Sequence, residues 1–216
     1  MTDLMAALPN SLVVRTEPIR PRSTARITLL LDAAAELIDE HGIDGLTTSD
    51  VAARSGSSVG VVYRYFPNIQ SLLRGLASRN MDKFTARIAA SMTDESADWM
   101  AAMNRTIDAY VELLRTEPGF RALGFGDVIN KRFLQPDASN NTVLARVFSE
   151  LFTQKYGLVP SAELSLDFEV IIEIADALLS RAFLYEKDGD VRFVAKLRVI
   201  VYEYMSPHAA AALGAE

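Results

Sequence analysis

The chain has 216 residues, half of them hydrophobic, with a net charge of −6 and no cysteine. That length allows one large domain or two small ones with a sizeable core. The absence of cysteine excludes disulfides and thiolate chemistry, no apolar run is long enough to cross a bilayer, and the opening MTDLMAALPNSLVVR lacks the basic start of a secretory signal, so a cytoplasmic protein is expected.

The net charge argues against nucleic acid as a partner, but its distribution does not. Residues 1–90 hold 10 Lys/Arg and 9 Asp/Glu, whereas residues 91–216 hold 12 and 19. Arg15, Arg20, Arg22 and Arg26 precede an acidic run, and Arg54, Arg64, Arg74, Arg79, Lys83 and Arg87 follow it. Such segregation suits an N-terminal anion-binding unit on an acidic body, and equally suits ordinary solvated helix faces.

In chain order, residues 1–22 carry three prolines and read as a flexible basic arm. From Ser23 the pattern turns helical, with Ile27, Leu30, Leu31, Ala34 and Ile38 on one face and Gly42 as a left-handed stop. Thr47 is placed to cap a short helix, with Asp50 three residues on and Leu46 and Val51 as a hydrophobic staple. Gly56 stops that helix after about two turns, and Ser57 or Ser58 caps another, which Pro67 ends. Asn68 opens a long helix to about Ala90. Further helices are expected at about 96–116, 141–156, 162–187 and 191–205, with a loop around QPDASNN and a break at Asp188-Gly189-Asp190.

Two short helices joined by Ser55-Gly56-Ser57-Ser58 after a longer one form a helix-turn-helix unit. The second would present Ser58, Val59, Gly60 and Val61 at its leading end, small enough to enter a major groove about 12 Å wide. Tyr63 and Arg64 follow at the edge, within reach of phosphates, while Val62 and Phe66 turn inward.

The stretch LTTSDVAARSGSSVGVVYRYFPNIQSLL resembles the DNA-binding region of the TetR/AcrR family of bacterial transcriptional regulators. It matches at Leu46, Thr47, Val51, Ala52, Gly56, Ser58, Tyr63, Phe66 and Leu72. The resemblance implies that Thr47 and Thr48 touch phosphate, that Ser58, Val59 and Val61 face base edges, and that Tyr63 binds phosphate. The chain departs from the family at Ile69, where lysine is common, at Val59, often polar or charged, and at Ser57, usually small and apolar. With fewer cations on the motif, Arg20 and Arg22 of the arm gain weight as DNA contacts.

The resemblance also implies a homodimer, formed by the last two long helices packing as a four-helix bundle with their partners. The helices at 162–187 and 191–205 carry more apolar surface than one face needs, including Phe193, Val194, Leu197, Ile200, Val201 and Tyr204. Leu197 and Val201, one turn apart, are expected on that interface. Between the two ends lie residues open to two readings, core or effector cavity: Trp99, Met103, Tyr110, Phe125, Phe148, Phe152, Phe168 and Ile172. Glu173 and Asp176 belong to a stripe that is either a solvated face or the lining for a cationic ligand. His41 and His208, the only histidines, have no accompanying ligand cluster, so no metal or cofactor is expected. SGSSVG is no nucleophile elbow and lacks the lysine of a phosphate-binding loop, so no enzyme is expected.

The resulting expectation is an all-α protein. A helix-turn-helix DNA-binding domain at 23–67 follows the arm at 1–22 and precedes a helical ligand-binding and dimerisation domain at 68–216. Its function would be ligand-responsive repression, with an operator duplex and a small-molecule effector as partners and no membrane. The alternative, motivated by Ile69 and Val59, is a helical ligand-binding or adaptor protein with weakened or lost DNA binding.

Overall fold

A computed structural model of the chain describes residues 21–91, 98–123 and 140–213, and every regular element among them is an α-helix. They are α1 (Pro21–His41), α2 (Thr48–Arg54), α3 (Val59–Tyr65), α4 (Ile69–Ser91), α5 (Trp99–Thr116), α6 (Phe120–Leu123), α7 (Asn140–Tyr156), α8 (Ala162–Ala182) and α9 (Val191–Leu213). None of these helices is long and apolar enough to cross a membrane. The chain forms two compact units that divide inside α4, between residues 82 and 83, and again after Arg115.

The first unit comprises α1, α2, α3, the start of α4 and, from much later in the sequence, α6. Its helix starts are set by side chains that accept otherwise orphaned N–H groups. Thr47 Oγ1 accepts from the Asp50 amide at 3.1 Å, and Ser58 Oγ from the Val61 amide at 3.3 Å. Asn68 and Ser71 bond reciprocally, Asn68 Oδ1 accepting from the Ser71 amide at 2.8 Å. Gly42 and Gly56 end α1 and α2 at φ 77° and 62°, the left-handed region where an L side chain is strained. α1 begins at Pro21, two residues before the expected start, because proline's fixed φ and missing N–H suit a first helical position.

Leu30, Ala34 and Ile38 of α1 meet Leu46, Val51, Val62, Leu72 and Leu76 in one core, and Leu123 of α6 completes it. Fully burying one such leucine or isoleucine is worth about 1.5–3 kcal/mol, so this apolar seam, rather than helix propensity, holds two seven-residue helices in place. The acidic face of α1 is tied down from three directions. Arg54 of α2 bonds Glu36 at 3.2 Å and Glu40 at 2.7 Å, Arg79 of α4 pairs with Asp32, and Arg121 of α6 with Asp39 at 3.0 Å. The Arg54 hydrogen bond, with its charge, holds the Glu40 carboxyl below its ordinary pKa.

The second unit is built from the end of α4 with α5, α7, α8 and α9. Ser161 caps α8, accepting from the Leu164 amide at 3.0 Å. α8 packs on both α7 and α9. Arg198 ties α9 to α5 through Asn104 Oδ1 at 2.7 Å and Asp108, and His208 Nε2 lies 2.7 Å from Asp167 Oδ2 of α8.

Three sequence expectations need correction here. The helix expected to reach 187 stops at Ala182, because the Asp190 amide returns to the Ala182 carbonyl at 2.9 Å and closes a turn. Leu184 and Tyr185, whose hydropathy extended the apparent helix, are exposed on that turn. The last helix passes through Pro207 to Leu213, held beyond the proline by buried Met205 and Ala209 and by the His208–Asp167 contact. Leu197 and Val201 are 0 % and 2 % exposed within the single protomer, so they belong to its own core and not to an interface face.

Gly119 sits at φ +71°, and a Cβ there would lie 3.0 Å from the Ala35 carbonyl oxygen and 3.1 Å from its Cα. Gly157 has a similar φ of +68° but open space. Both alanine variants pay the left-handed strain of about 1–2 kcal/mol, and Gly119→Ala should lose more because backbone cannot move aside. Urea unfolding checks this, and equal losses would mean that α6 is not closely seated on α1.

Asp190 accepts from the Arg192 guanidinium and amide, which lowers its carboxyl from 3.8 to about 2. Because the folded value is depressed, this stabilisation is complete above 3.8 and fades as pH falls through about 2. Asp190→Asn should therefore be less stable than the wild type at neutral pH, with the two thermal midpoints converging on acidification. A gap that persists at pH 2 would assign the loss to packing.

Candidate nucleic-acid interface

The turn Ser55–Ser58 sets the relation between α2 and α3. Gly56 reverses the chain, the Ser57 amide bonds the Ala52 carbonyl at 2.9 Å, and Ser58 starts α3. With Val62 fully buried and Phe66 buried after it, the opposite face of α3 is obliged to look outward. That face carries exposed Ser58, Val59, Gly60, Tyr63 and Arg64, with Val61 half-buried. Tyr63 is 50 % exposed, large for an aromatic ring, and its hydroxyl accepts from Thr48 Oγ1 at 3.3 Å. Two residues assigned to phosphate from the sequence, 15 positions apart, thus present adjoining hydroxyls.

Thr47 is placed differently, since its hydroxyl is engaged with the Asp50 amide and carboxylate in the cap. Arg20 and the side chain of Arg22 lie outside the described residues. Of the cations that the charge pattern singled out, Arg54 and Arg79 are consumed by α1 carboxylates. Arg64 has no carboxylate partner among the described residues and remains available. The sequence reading missed a contact of Arg26, whose Nη1 donates to Ser57 Oγ at 3.2 Å. Arg26 stood out only as the last of four arginines before an acidic run, and that grouping carries no signal for the contact.

Two family models match the chain. "Bacterial regulatory proteins, tetR family" covers residues 30–76, and "Tetracyclin repressor-like, C-terminal domain" covers residues 97–209, just over half of the chain. The protein belongs to the TetR family. A solved TetR-family transcriptional regulator from Streptomyces coelicolor is 32% identical, with a TM-score of 0.71 over 85% of this chain and 99% of that one. The uncharacterised HTH-type transcriptional regulator YobS of Bacillus subtilis is 27% identical over 112 residues, 52% of this chain and 58% of the relative. The nucleoid occlusion factor SlmA of Haemophilus influenzae strain PittGG is 26% identical over 106 residues, 49% and 47% of the two chains. The chain spans about half the length of these curated relatives.

In this TetR-family chain the candidate effector residues fall into two groups. Tyr110, Phe148, Phe152 and Phe168 are buried in one run of rings. Phe84 links Tyr110 at 5.3 Å to Phe148 at 6.5 Å, and Phe152 continues to Phe168 at 5.7 Å and Tyr156 at 5.1 Å. Met103 and Ile172 are buried as well. Outside that run, half-buried Trp99 stacks on Tyr202 at 6.3 Å, exposed Glu173 accepts from Asn141 Nδ2 at 3.1 Å, and Asp176 is half-buried. Phe125 lies outside the described residues. Phe84, which the sequence reading passed over, was detectable from its spacing to Met81 and Ile88 on α4, both also buried.

The adjoining hydroxyls make a specific expectation. Tyr63→Phe and Thr48→Ala should each weaken binding to every duplex alike, because phosphate contacts position without specifying. The double variant should lose less than the sum of the singles, since the two groups share one bond. Fluorescence anisotropy on a panel of duplexes measures both effects, and strictly additive losses would show that the two hydroxyls act separately.

Proposed function

We propose that the protein is a ligand-responsive transcriptional repressor, a homodimer that leaves a palindromic operator when a small molecule binds its second unit. The observation that carries this reading is the outward face of α3, where small residues lead and Tyr63 and Arg64 follow on a helix anchored by Val62 and Phe66. Ser58, Val59 and Val61 face base edges. Thr48, Tyr63 and Arg64 meet phosphate, Thr47 caps α2 behind them, and Arg20 and Arg22 of the arm reach the adjoining backbone.

Dimerisation is assigned to α8 and α9. Leu166 on α8 and Tyr204 on α9 are exposed, at 58 % and 37 %. Each adjoins the Asp167–His208 contact, Leu166 in sequence and Tyr204 one turn along its helix. Half-buried Val170 and Ile174 extend the stripe on α8, and half-buried Ile200 that on α9. A dimer through this face places two copies of α3 in successive major grooves, about 34–36 Å apart. The effector is assigned to the aromatic run of the second unit, with Trp99, Met103, Ile172, Glu173 and Asp176 as flanking candidates. Its binding favours a conformer with the wrong spacing, and a swing from 1:99 to 99:1 requires about 5.5 kcal/mol of differential affinity.

A gel shift with DNA from upstream of the protein's own coding sequence, at low and moderate salt, tests the DNA-binding part. No shift at either salt favours the ligand-binding or adaptor reading, which Val59 and Ile69 motivate. For the dimer, Leu166→Glu combined with Tyr204→Glu should give a folded monomer that no longer binds operator, since the interface would have to bury unpaired charge at a cost of several kcal/mol. Leu197→Glu with Val201→Glu should instead unfold the protomer, because both side chains lie in its own core. Sedimentation velocity and circular dichroism separate the two outcomes, and a first variant that stays dimeric would move the interface elsewhere.

A further inference from the structure

We infer that Arg26 is a DNA-phosphate anchor, supplying from α1 the cation that the start of α4 lacks at Ile69; this rests on the DNA-binding reading above. Three observations lead there. First, the cations of the first unit are divided. Arg54, Arg79 and Arg121 are each held by a carboxylate of α1, and so add little positive potential outward. Arg26, Arg64 and Arg74 have no carboxylate partner among the described residues.

Second, Arg26 is placed against the recognition elements. Its Nη1 donates to Ser57 Oγ at 3.2 Å, in the turn next to the residue that caps α3. One turn earlier on α1, Ser23 Oγ lies 3.5 Å from the Tyr65 hydroxyl at the last residue of α3. The start of α1 therefore touches both the turn before α3 and its last residue, and the Arg26 guanidinium meets the turn at Ser57, next in sequence to exposed Ser58. Third, Arg26 is half-buried, and one bond to a neutral hydroxyl leaves its charge and most of its five N–H donors unspent. The nearest acidic residue along α1, Asp32, is already occupied by Arg79. A guanidinium so placed suits a phosphate oxygen flanking the groove that α3 enters, with Ser57 fixing its approach.

The salt dependence of binding reads this directly, because each phosphate contact contributes about 0.9 to the slope of log K against log salt. The probe is a fluorescein-labelled duplex of mixed sequence and 30 base pairs, titrated with the full-length protein over a series of KCl concentrations. Arg26→Ala should lower the slope by about 0.9, which corresponds to a loss on the order of tenfold at 0.1 M salt. Arg26→Gln, which retains a donor for Ser57 but no charge, should do the same and serves if the alanine variant folds poorly. Arg26→Lys and Ser57→Ala should keep the wild-type slope, as should Arg54→Ala, whose guanidinium is already committed. An unchanged slope for Arg26→Gln overturns the proposal even where affinity falls, because Arg26 would then act through the turn alone. A wild type that binds no duplex at the lowest salt removes the DNA-binding reading and this inference with it.

Discussion

The burial of Val62 is the constraint on which the rest of the first unit depends. α3 has seven residues, too few to be helical alone, and its sequence is rich in β-branched and aromatic side chains. It is a helix because Ser58 caps it and because one apolar residue per turn is drawn into the core of α1, α2 and α4. With that inward direction fixed, and Tyr65 packed against the same core, helical geometry turns Val59, Tyr63 and Arg64 of α3 to the outside. The presentation of Ser58, Tyr63 and Arg64 is therefore a by-product of packing, and it stays rigid as long as the core does.

Around that core, charge is arranged by neutralisation more than by accumulation. The acidic run of α1 faces arginines contributed by three separate helices, so its carboxylates act as local partners and not as a repulsive patch. This is why the bulk charge of −6 is a poor guide to what the first unit meets. The same pairing removes Arg54 and Arg79 from the inventory of cations that a count along the chain makes.

Much of this was legible in the sequence, wherever a local rule decides the structure. Thr47 with Asp50, Gly42, Gly56 and Asn68 each set a boundary through hydrogen bonds or dihedral angles that involve their immediate neighbours. Val62 and Phe66 followed from helical period. What was not legible depends on partners distant in sequence. Leu197 and Val201 form a regular stripe, but a stripe does not state whether it packs on its own chain or on a second copy, and here its own chain takes it. Leu184 and Tyr185 read as helix because hydropathy does not register a turn closed by an amide at Asp190. Thr48 with Tyr63 is a contact between helices and Arg26 with Ser57 one between a helix and the turn, both visible only once the turn between α2 and α3 fixes their approach.

The seating of α6 has a consequence for how the chain assembles. Arg121 meets Asp39 across 82 positions, and Leu123 fills part of the core lined by Leu30 and Leu72. The helix-turn-helix is therefore not a bead that can be completed at the end of α4. During synthesis, its core stays short of one leucine, and α1 keeps an unpaired acidic group, until α5 has been made and the chain has returned. Non-local closure of this kind slows folding. A fragment ending at residue 91 would lack a piece of its own interior, so the boundary that matters for folding differs from the one a motif search would draw.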